Sequence, residues 1–463
     1  MKPLTGFVFF IVLFVCSCKK DVFITSPDAE IRFSADTLHY DTVFTSVGSI
    51  TKFVRIFNNN DQKLRLTSVQ LSGGSNSPFR INVDGTPGNA SDIEILPNDS
   101  LYVFVSVQVN PDAQNLPFIL RDSLRVSYNG NEKFIQLEAW GQNAVFLRNH
   151  IVTGHEIWTN TKPYVILDRL LIEKNAKLTI GKGSRLYFHA DAPLLVDGTL
   201  EVKGEKADSL RVSFQGDRLD DPYHNYPGAW PGIYFQASSQ DNIIEYANIY
   251  NAFQGLVVDQ PATNGLPKLI LNESVIQNCF DAGLIAFRSE IRSRNTLIAN
   301  CGKNMILAFG GKYEFTHLTN TAYSNRYIAH KDAILSITNV FEDAGAVFTA
   351  DLNASFVNCI FWGDDGLVKN EVTIRKEGSS VFAVSFTNSL WKMSDVPGSI
   401  TTSAMINNQD PLFNLVDNDK IQYDFRLKEN SPAIGKGKPA GVTFDLDGKI
   451  RKVVPDIGAY ELQ

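Results

Sequence analysis

Two stretches in the middle of the chain carry the side chains that binding or β-elimination of an acidic sugar would need. They contain Arg288, Glu290, Arg292 and Arg294 in the first stretch, and His330, Lys331 and Asp332 in the second. Arginine or lysine would neutralise the sugar carboxylate, and a histidine or carboxylate would then take the proton from the adjacent carbon. The alternative that we favour is a solvated charged face with pairs such as Glu290 with Lys312, because the repeats described next differ in length.

A repeated triplet sets the register in which these residues would meet. An apolar residue, a spacer and an asparagine recur seven times. These repeat asparagines are Asn251, Asn278, Asn300, Asn320, Asn339, Asn358 and Asn388, at spacings of 27, 22, 20, 19, 19 and 30 residues. Twelve residues after five of them stand Glu290, Lys312, Asp332, Asp351 and Asn370. In this register Asp332 and Asp351 stack as neighbouring carboxylates, which would bind Ca²⁺ or share a proton.

A period near 20 residues indicates a solenoid of stacked coils, and no helix of adequate length fits between the copies. The coils are therefore predicted to be the short strands of a right-handed parallel β-helix. Stacked coils lie about 4.8 Å apart, so each repeat asparagine is predicted to bond through its amide to the asparagines above and below. The next residue is always small, and Cys279, Cys301 and Cys359 are expected to be buried thiols that fill a tight corner.

Aromatic residues and two aspartate pairs are further candidates for a site. Trp230 and Tyr234, with Tyr223 and Tyr226, would form a sugar-stacking platform or cap the entry of the solenoid. Asp445 and Asp447 have the spacing of calcium-loop ligands, but no glutamate follows at the expected distance, which favours a structural turn. The pair Asp364 and Asp365 resembles the paired aspartates of polygalacturonase-like hydrolases. The companion signatures of that family are missing, and a turn is again favoured.

The chain before the solenoid reads as a separate all-β domain. From residue 24 to residue 143, seven alternating runs are separated by turn residues, which predicts an antiparallel β-sandwich. The runs RIFNNNDQKLRLTSVQL, LPNDSLYVFVSVQVNP and LRVSYNGNEKFIQLEAWG resemble the immunoglobulin-like domains of abnormal-spindle-type and bacterial envelope proteins. This resemblance implies a spacer or an interaction module.

The C-terminal part carries a second resemblance. DPLF at 410–413, DFRL at 424–427, SPAIG at 431–435, DLDG at 445–448 and PDIGAYE at 455–461 follow one another. The series resembles the last segment of surface-anchored bacterial β-helix proteins of the pectin-lyase-like superfamily. Members of this superfamily include polysaccharide lyases, glycoside hydrolases, adhesins and binders, so the resemblance implies the fold and leaves the activity open.

The N-terminus is typical of an exported protein. Met1 and Lys2 precede an apolar run from residue 4 to residue 15, which is too short to span a bilayer as a helix. VCSC at 15–18 resembles the bacterial lipobox, and Cys18 is the predicted lipidation site. Cys16 is the competing site, and a plain signal peptide is the remaining alternative. The net charge of −7 and the absence of a dense basic stripe argue against a nucleic-acid partner.

Together these patterns predict an all-β envelope lipoprotein. We expect a signal peptide at 1–17, an immunoglobulin-like β-sandwich at 18–145, a right-handed parallel β-helix at 146–405 and a closing segment at 406–463. The leading hypothesis is a protein that is anchored by Cys18 in the lipid bilayer and binds polysaccharide without catalysis. The expected membrane is the outer membrane, and the sequence does not decide between its periplasmic and its outer surface. The alternatives are a lyase or hydrolase of acidic glycans and an adhesin-like module that binds a surface protein. No cofactor is expected, with Ca²⁺ as the single candidate.

Overall fold

The protein is built almost entirely of β-strands. The computed structural model describes residues 22–44, 51–108, 118–220, 222–364 and 366–462, so Cys16 and Cys18 lie outside the described residues. The helices within these ranges are three single 3₁₀ turns, at Gly74–Asn76, Asp208–Leu210 and Tyr223–Asn225. None of the described helices has the length and apolar character that crossing a membrane requires. The chain divides into two compact units, Met1–Gln142 and Asn143–Gln463.

The first unit contains two five-stranded sheets. Its strands are β1 Ile31–Phe33, β2 Thr37–Phe44, β3 Lys52–Asn58, β4 Leu64–Leu71, β5 Phe79–Val83, β6 Thr86–Pro87, β7 Ala90–Ile95, β8 Ser100–Val107, β9 Phe118–Tyr128 and β10 Asn131–Gln142. The sheet orders are β1-β3-β8-β5-β6 and β2-β10-β9-β4-β7. The pairs are antiparallel except that between β10 and β2. Both sheets contribute to one apolar core, because alternate residues of a strand face the same side.

The second unit contains a large sheet of 24 strands in the described residues. Its strands are β11 Val145–Val152, β12 His155–Trp158, β13 Tyr164–Ile172, β14 Lys177–Gly181, β15 Arg185–Phe188, β16 Leu194–Val196, β17 Thr199–Lys203, β18 Val212–Gly216, β19 Trp230–Phe235, β20 Asn242–Glu245, β21 Ala247–Tyr250, β22 Ala252–Asp259, β23 Leu269–Asn272, β24 Val275–Gln277, β25 Ala282–Ala299, β26 Lys303–Ala322 and β27 Leu335–Thr338. After a hairpin, β28 Val340–Asp343 and β29 Ala346–Thr349, the sheet continues with β30 Leu352–Val357, β31 Ile360–Gly363, β32 Val372–Arg375, β33 Phe382–Thr387, β34 Leu390–Trp391, β35 Thr401–Ser403 and β36 Ile406–Asn407. A second hairpin, β37 Phe413–Asp417 and β38 Gln422–Leu427, follows.

Most strands of the large sheet pair in parallel with strands two or three positions further along the sheet. For example, β14 pairs with β17, β17 with β20, and β20 with β23. The long strands β25 and β26 pair directly with each other, also in parallel. The rows of parallel strands enclose one continuous apolar core from Val152 to Met393. The expected boundary at 405 falls inside this arrangement, because β36 pairs in parallel with β34.

Repeat asparagines lie at the corners between rows. Five of them have left-handed backbone conformations, with φ of 60° at Asn251, 58° at Asn278, 52° at Asn300, 57° at Asn358 and 45° at Asn388. Asparagine tolerates this region better than most residues. The small residues that follow are buried, and the thiols of Cys279, Cys301 and Cys359 are free, as predicted.

The predicted ladder of asparagine side chains is largely absent, and this expectation needs correction. Among the described repeat asparagines, the one direct amide bond runs from Nδ2 of Asn278 to Oδ1 of Asn251, at 2.8 Å. Most of the others donate instead to backbone carbonyls of segments that lie outside the rows: Asn251 to His224, Asn339 to Glu377, Asn358 to Lys438 and Asn388 to Lys436, at 2.7 to 2.9 Å. At these corners a backbone carbonyl lies within hydrogen-bond distance of the asparagine amide. The repeats differ in length, so the next repeat asparagine does not lie at the same place.

The C-terminal residues pack along the side of the parallel strands. Phe413, Phe425 and Tyr460 belong to an apolar cluster with Ile360 and Leu390. Hydrogen bonds extend the contact back along the unit, from Nδ2 of Asn388 to the Lys436 carbonyl and from Nδ2 of Asn295 to the Phe444 carbonyl. The segment therefore covers corners of several coils.

His317 joins this C-terminal segment to a repeat asparagine. Its ring is buried, with Nε2 3.1 Å from Nδ2 of Asn358 and Nδ1 3.2 Å from the Gly458 carbonyl. An amide nitrogen donates, so Nε2 accepts and Nδ1 carries the proton that it donates to Gly458. Burial, followed by the nearby Arg451 guanidinium, lowers the pKa of His317 to about 3. The neutral ring is the form that fits this position.

The free energy of unfolding should fall on acidification because of His317. Between pH of about 6.5 and 3 the unfolded histidine binds a proton that the folded ring does not, so stability is present above this window and is lost as the pH falls through it. The slope from this group is at most about 1.4 kcal/mol per pH unit. We expect urea unfolding of His317→Asn to show a shallower pH dependence than the wild type, although the variant is less stable. The exposed control His155→Asn should keep the wild-type slope, and equal slopes in all three would contradict the assignment.

Candidate functional site

A groove on the large sheet collects several of the predicted site residues. We call it the charged groove, a cavity of about 500 Å³ whose walls include Arg288, Glu290, Phe309, Lys312, Phe348 and Asp351. Arg288 and Glu290 come from β25, Lys312 from β26, and Asp351 stands just before β30. Three successive coils therefore contribute charge to one surface.

Glycine at positions 310 and 311 allows close packing beside the groove. Gly311 has φ of 113°, and a side chain there would collide with the Ser289 carbonyl and the Tyr313 hydroxyl. Glu290 lies opposite Lys312, as expected, but Lys312 lies opposite Asn353. Asp332 and Asp351 are therefore not stacked neighbours. The register predicted by counting twelve residues from each repeat asparagine is wrong from Asp332 onward.

The basic side chains of the groove are available to a ligand. The Arg288 guanidinium lies 5.6 Å from the centre of the Phe309 ring, a cation–π contact. Within the described parts of the chain, Arg288, Lys312 and Glu290 have no ion-pair or hydrogen-bond partner for their side chains. Asp351 accepts a 2.9 Å bond from the Val381 amide through Oδ1. The groove thus offers two unpaired cations beside two carboxylates.

The rings of Phe309 and Phe348 line the same groove and belong to a larger aromatic cluster. The rings of Phe287, Phe309 and Phe341 lie with centroids 5.4 Å apart, and Phe348 lies 6.4 Å from Phe341. Phe341 and Phe348 belong to the β28–β29 hairpin and are 40% and 49% exposed. The tight turn of this hairpin uses Ala344 and Gly345 at positive φ. Apolar ring faces therefore stand next to Arg288.

The other predicted catalytic and binding residues lie elsewhere. Arg292 pairs with Glu314 at 2.9 Å, and Arg294 pairs with Glu273 at 2.8 Å. His330 is buried, with Nε2 3.0 Å from Oε1 of the buried Glu371. Asp332 and Lys331 line a different cavity, of about 320 Å³. The expected cluster of Arg288, Arg292, His330, Asp332 and Asp351 does not form, because residues 323–334 lie outside the strands and break the count.

Trp230 and Tyr234 of the predicted sugar platform, and the aspartates of the predicted calcium loop, make structural contacts. Trp230 is buried, stacks on Phe188 at 4.4 Å and donates to the Tyr250 carbonyl. Tyr234 is half-buried and donates to the Pro231 carbonyl at 3.0 Å. Asp445 is buried and accepts three amide bonds, from Asp447, Lys449 and Glu461. Both oxygens of Asp447 accept from Arg426. These carboxylates are occupied by donors, as the favoured turn requires.

The first aspartate of the GDDG sequence also serves a turn. Asp364 accepts amide bonds from Ser324 at 2.8 Å and Gly366 at 3.2 Å, while Asp365 lies outside the described residues. Hydrogen bonds from the Ser324 backbone and side chain outweigh burial and lower the pKa of Asp364. Within the described ranges, no group of three or more His, Cys, Asp or Glu residues is arranged to hold a metal ion.

Sequence reasoning missed a second cavity. This amide cleft, of about 290 Å³, is lined by five asparagines, two glutamines, two tyrosines, one histidine and one isoleucine. Three repeat asparagines, Asn251, Asn278 and Asn300, form part of its wall, with Asn325 and Tyr423 among the other residues. The asparagine repeat was the available signal, but the sequence does not reveal which distant segments cover its corners.

Comparisons with known proteins leave the family of this chain open. No protein-family model matches it, and no curated protein does. Slight structural likenesses link it to a family 123 glycoside hydrolase from Clostridium perfringens (9% identity, TM-score 0.18), a protein of unknown function from Porphyromonas gingivalis W83 (8%, 0.19) and the Salmonella enterica SafA pilin in complex with the SafB chaperone (10%, 0.17). They cover 26%, 27% and 26% of this chain and 31%, 60% and 57% of the respective matched chains, less than two thirds of each. Likenesses at this level support no functional conclusion.

His330 should act as a structural residue. In His330→Ala, the buried Glu371 carboxyl loses its partner, which should lower the free energy of unfolding by about 3 kcal/mol. Urea unfolding measures this change, and His155→Ala at an exposed position is the matched control. Unchanged stability in His330→Ala would contradict the structural role.

Proposed function

We propose that this chain is a lipid-anchored protein of the bacterial cell envelope that binds an acidic polysaccharide in the charged groove without cleaving it. One observation carries the proposal: Arg288 and Lys312, on adjacent strands of a groove of about 500 Å³, are two cations without an ion-pair partner among the described residues. Ligand sites commonly have volumes of roughly 300 to 1,000 Å³. Other arginines of β25, Arg292 and Arg294, are paired.

The groove residues can bind different parts of a uronate chain. Arg288 can hold a carboxylate with two parallel hydrogen bonds, and Lys312 adds a second positive charge. Phe309 and Phe348 offer ring faces to the apolar side of a sugar. Glu290 and Asp351 can accept bonds from sugar hydroxyls. His330 cannot supply a base here, because it is buried against Glu371.

A polysaccharide lyase is the second candidate. Glu290 and Asp351 are carboxylates in the same groove as two cations, and β-elimination needs this combination of base and charge neutralisation. The two functions differ in one measurable product, because a lyase creates new chain ends and a binder does not. An adhesin-like partner protein is the third candidate, for which the exposed Phe341 and Phe348 are the relevant surface.

The proposal also specifies the fold of each part of the chain. We propose an immunoglobulin-like β-sandwich at 18–145 and a right-handed parallel β-helix of the pectin-lyase-like type at 146–405, followed by the segment 406–463. The two sheets that share one core support the first assignment. Parallel pairing of each strand with one a full turn later supports the second. An outer-membrane location, with acylated Cys18 in the bilayer, completes the proposal.

Binding should depend on the two unpaired cations. Using the intact chain in mild detergent, we expect polygalacturonate or alginate to bind more tightly than neutral dextran, with an affinity that falls as salt increases. Arg288→Gln and Lys312→Gln should each weaken binding by about tenfold, equal to about 1.4 kcal/mol. Isothermal calorimetry with and without Ca²⁺ measures this, and reducing-end and unsaturated-product assays run in parallel.

Arg292→Gln is the matched control, because Arg292 lies on the same strand but pairs with Glu314. Equal losses in Arg292→Gln and Arg288→Gln would attribute the effect to general charge. New chain ends that disappear in Asp351→Asn would replace the binder with the lyase. Binding to none of the acidic polymers would refute both.

The anchor requires a separate test. Cys18→Ser should move the protein from the membrane fraction to the soluble fraction, because the acyl chains supply the membrane affinity. Mass spectrometry of the N-terminal peptide should find a lipidated Cys18 in the wild type. A lipid on Cys16, or an unmodified N-terminus, would overturn this assignment.

A further inference from the structure

Among the residues that the structure describes, the amide cleft has no Lys, Arg, Asp or Glu in its lining. Seven of its eleven lining residues are asparagine or glutamine. Its floor is the row of corners at Asn251, Asn278 and Asn300, while Asn325 and Tyr423 approach from segments outside the rows. This composition separates the cleft from the charged groove.

Four buried polar atoms of the cleft residues have no hydrogen-bond partner in the described structure. They are Oδ1 of Asn278, Nδ2 of Asn300, Nδ2 of Asn325 and the hydroxyl of Tyr423. Asn278 and Asn300 are only 8% and 2% exposed, so each unpaired atom costs free energy unless a ligand or water bonds to it. Nδ2 of Asn278 is already used twice, for Asn225 and Asn251, and Oδ1 of Asn300 accepts from the Tyr323 amide at 2.9 Å. On Asn278 and Asn300 the free atoms are therefore one acceptor and one donor, and Asn325 adds a second donor.

The walls of the cleft are held in place before any ligand arrives. Asn278 donates to the Asn225 carbonyl at 2.8 Å, which fixes the loop that follows β18. The ring of Tyr226 in this loop lies 5.0 Å from that of Tyr327. Tyr327 donates its amide to Oδ1 of Asn325, at 2.8 Å. The segments on the two sides are thus joined, and little ordering entropy remains to oppose binding.

We propose that the amide cleft is a second ligand site, which binds a neutral sugar unit. A sugar hydroxyl both donates and accepts, so adjacent hydroxyls can satisfy Asn278 and Asn300 together. The Tyr423 hydroxyl faces Asn325 and adds another polar group, while its ring and that of Tyr250 offer apolar surface. The volume of about 290 Å³ matches the lower end of small-ligand sites. This inference does not depend on the charged groove.

The lining disfavours the other ligand classes. An anion would meet no lysine or arginine there, and a divalent cation would meet no carboxylate. An apolar ligand would leave the donor of Asn300 and the acceptor of Asn278 unpaired. A neutral polyhydroxylated ring is the class that satisfies both atoms without a charge partner.

Saturation-transfer NMR on the intact chain tests the proposal. The probes are methyl glycosides of glucose, galactose, mannose and fucose, with glucuronate as the charged comparison. At least one neutral glycoside should give transfer signals, and these should fall at least fivefold, equal to about 1 kcal/mol, in Asn300→Asp. That variant keeps the acceptor for Tyr323 and replaces the free donor with a carboxylate oxygen. Tyr423→Phe, a milder change, should also weaken the signals.

Controls separate this site from the groove and from folding effects. Asn388→Asp changes a repeat asparagine outside the cleft, and Arg288→Gln changes the groove, so both should keep the wild-type signals. Thermal melts monitor folding, and Tyr423→Phe carries the test if Asn300→Asp does not fold. The proposal is overturned if no neutral glycoside gives signals, if signals persist in the folded cleft variants, or if glucuronate alone binds there.

Discussion

The second unit depends on asparagine at its corners. Five repeat asparagines have left-handed backbone conformations, which turn the chain from one row of strands to the next. Their amides then bond to segments outside the rows, as Asn251 does to His224 and Asn358 to Lys438. One residue type thus does two things, because its backbone makes the corner and its side chain holds what covers it. If the asparagine amides had bonded only to one another, they would not have held these covering segments in place.

The two candidate sites differ in chemistry because different residue types form the corners beside them. Where asparagines form the corner and lateral segments approach, the amide cleft arises, and its polarity comes from the corner residues themselves. At the corner before Lys312, Gly310 and Gly311 have positive φ and contribute no side chains, and the charged groove beside it takes its polarity from charged residues of the neighbouring strands. The two surfaces therefore differ in chemistry for a local reason, which is the residue type that makes the turn.

The sequence predicted local structure better than distances between coils. Alternation and turn residues predicted β-strands, and the small residue after each repeat asparagine predicted buried thiols, because both depend on neighbours in the chain. The predicted register is wrong beyond residue 322, because residues 323–334 do not form strands. Asp332 therefore lines another cavity, and His330 is buried against Glu371. The sequence left two roles open for Trp230, sugar stacking or a structural cap, and its stacking on Phe188 favours a structural role.

The contrast along β25 explains why the unpaired charges are informative. Arg292 and Arg294 each have a glutamate within 3 Å, whereas Arg288, on the same strand, faces Phe309 and has no carboxylate partner in the described chain. Exposed ion pairs contribute only about 0 to 1 kcal/mol, so folding does not require a partner for Arg288. The same argument covers Lys312, which stands beside it in the groove. Neither cation is held by an ion pair in the described chain, so both are free to bind a carboxylate from outside, in a groove that also contains Glu290 and Asp351.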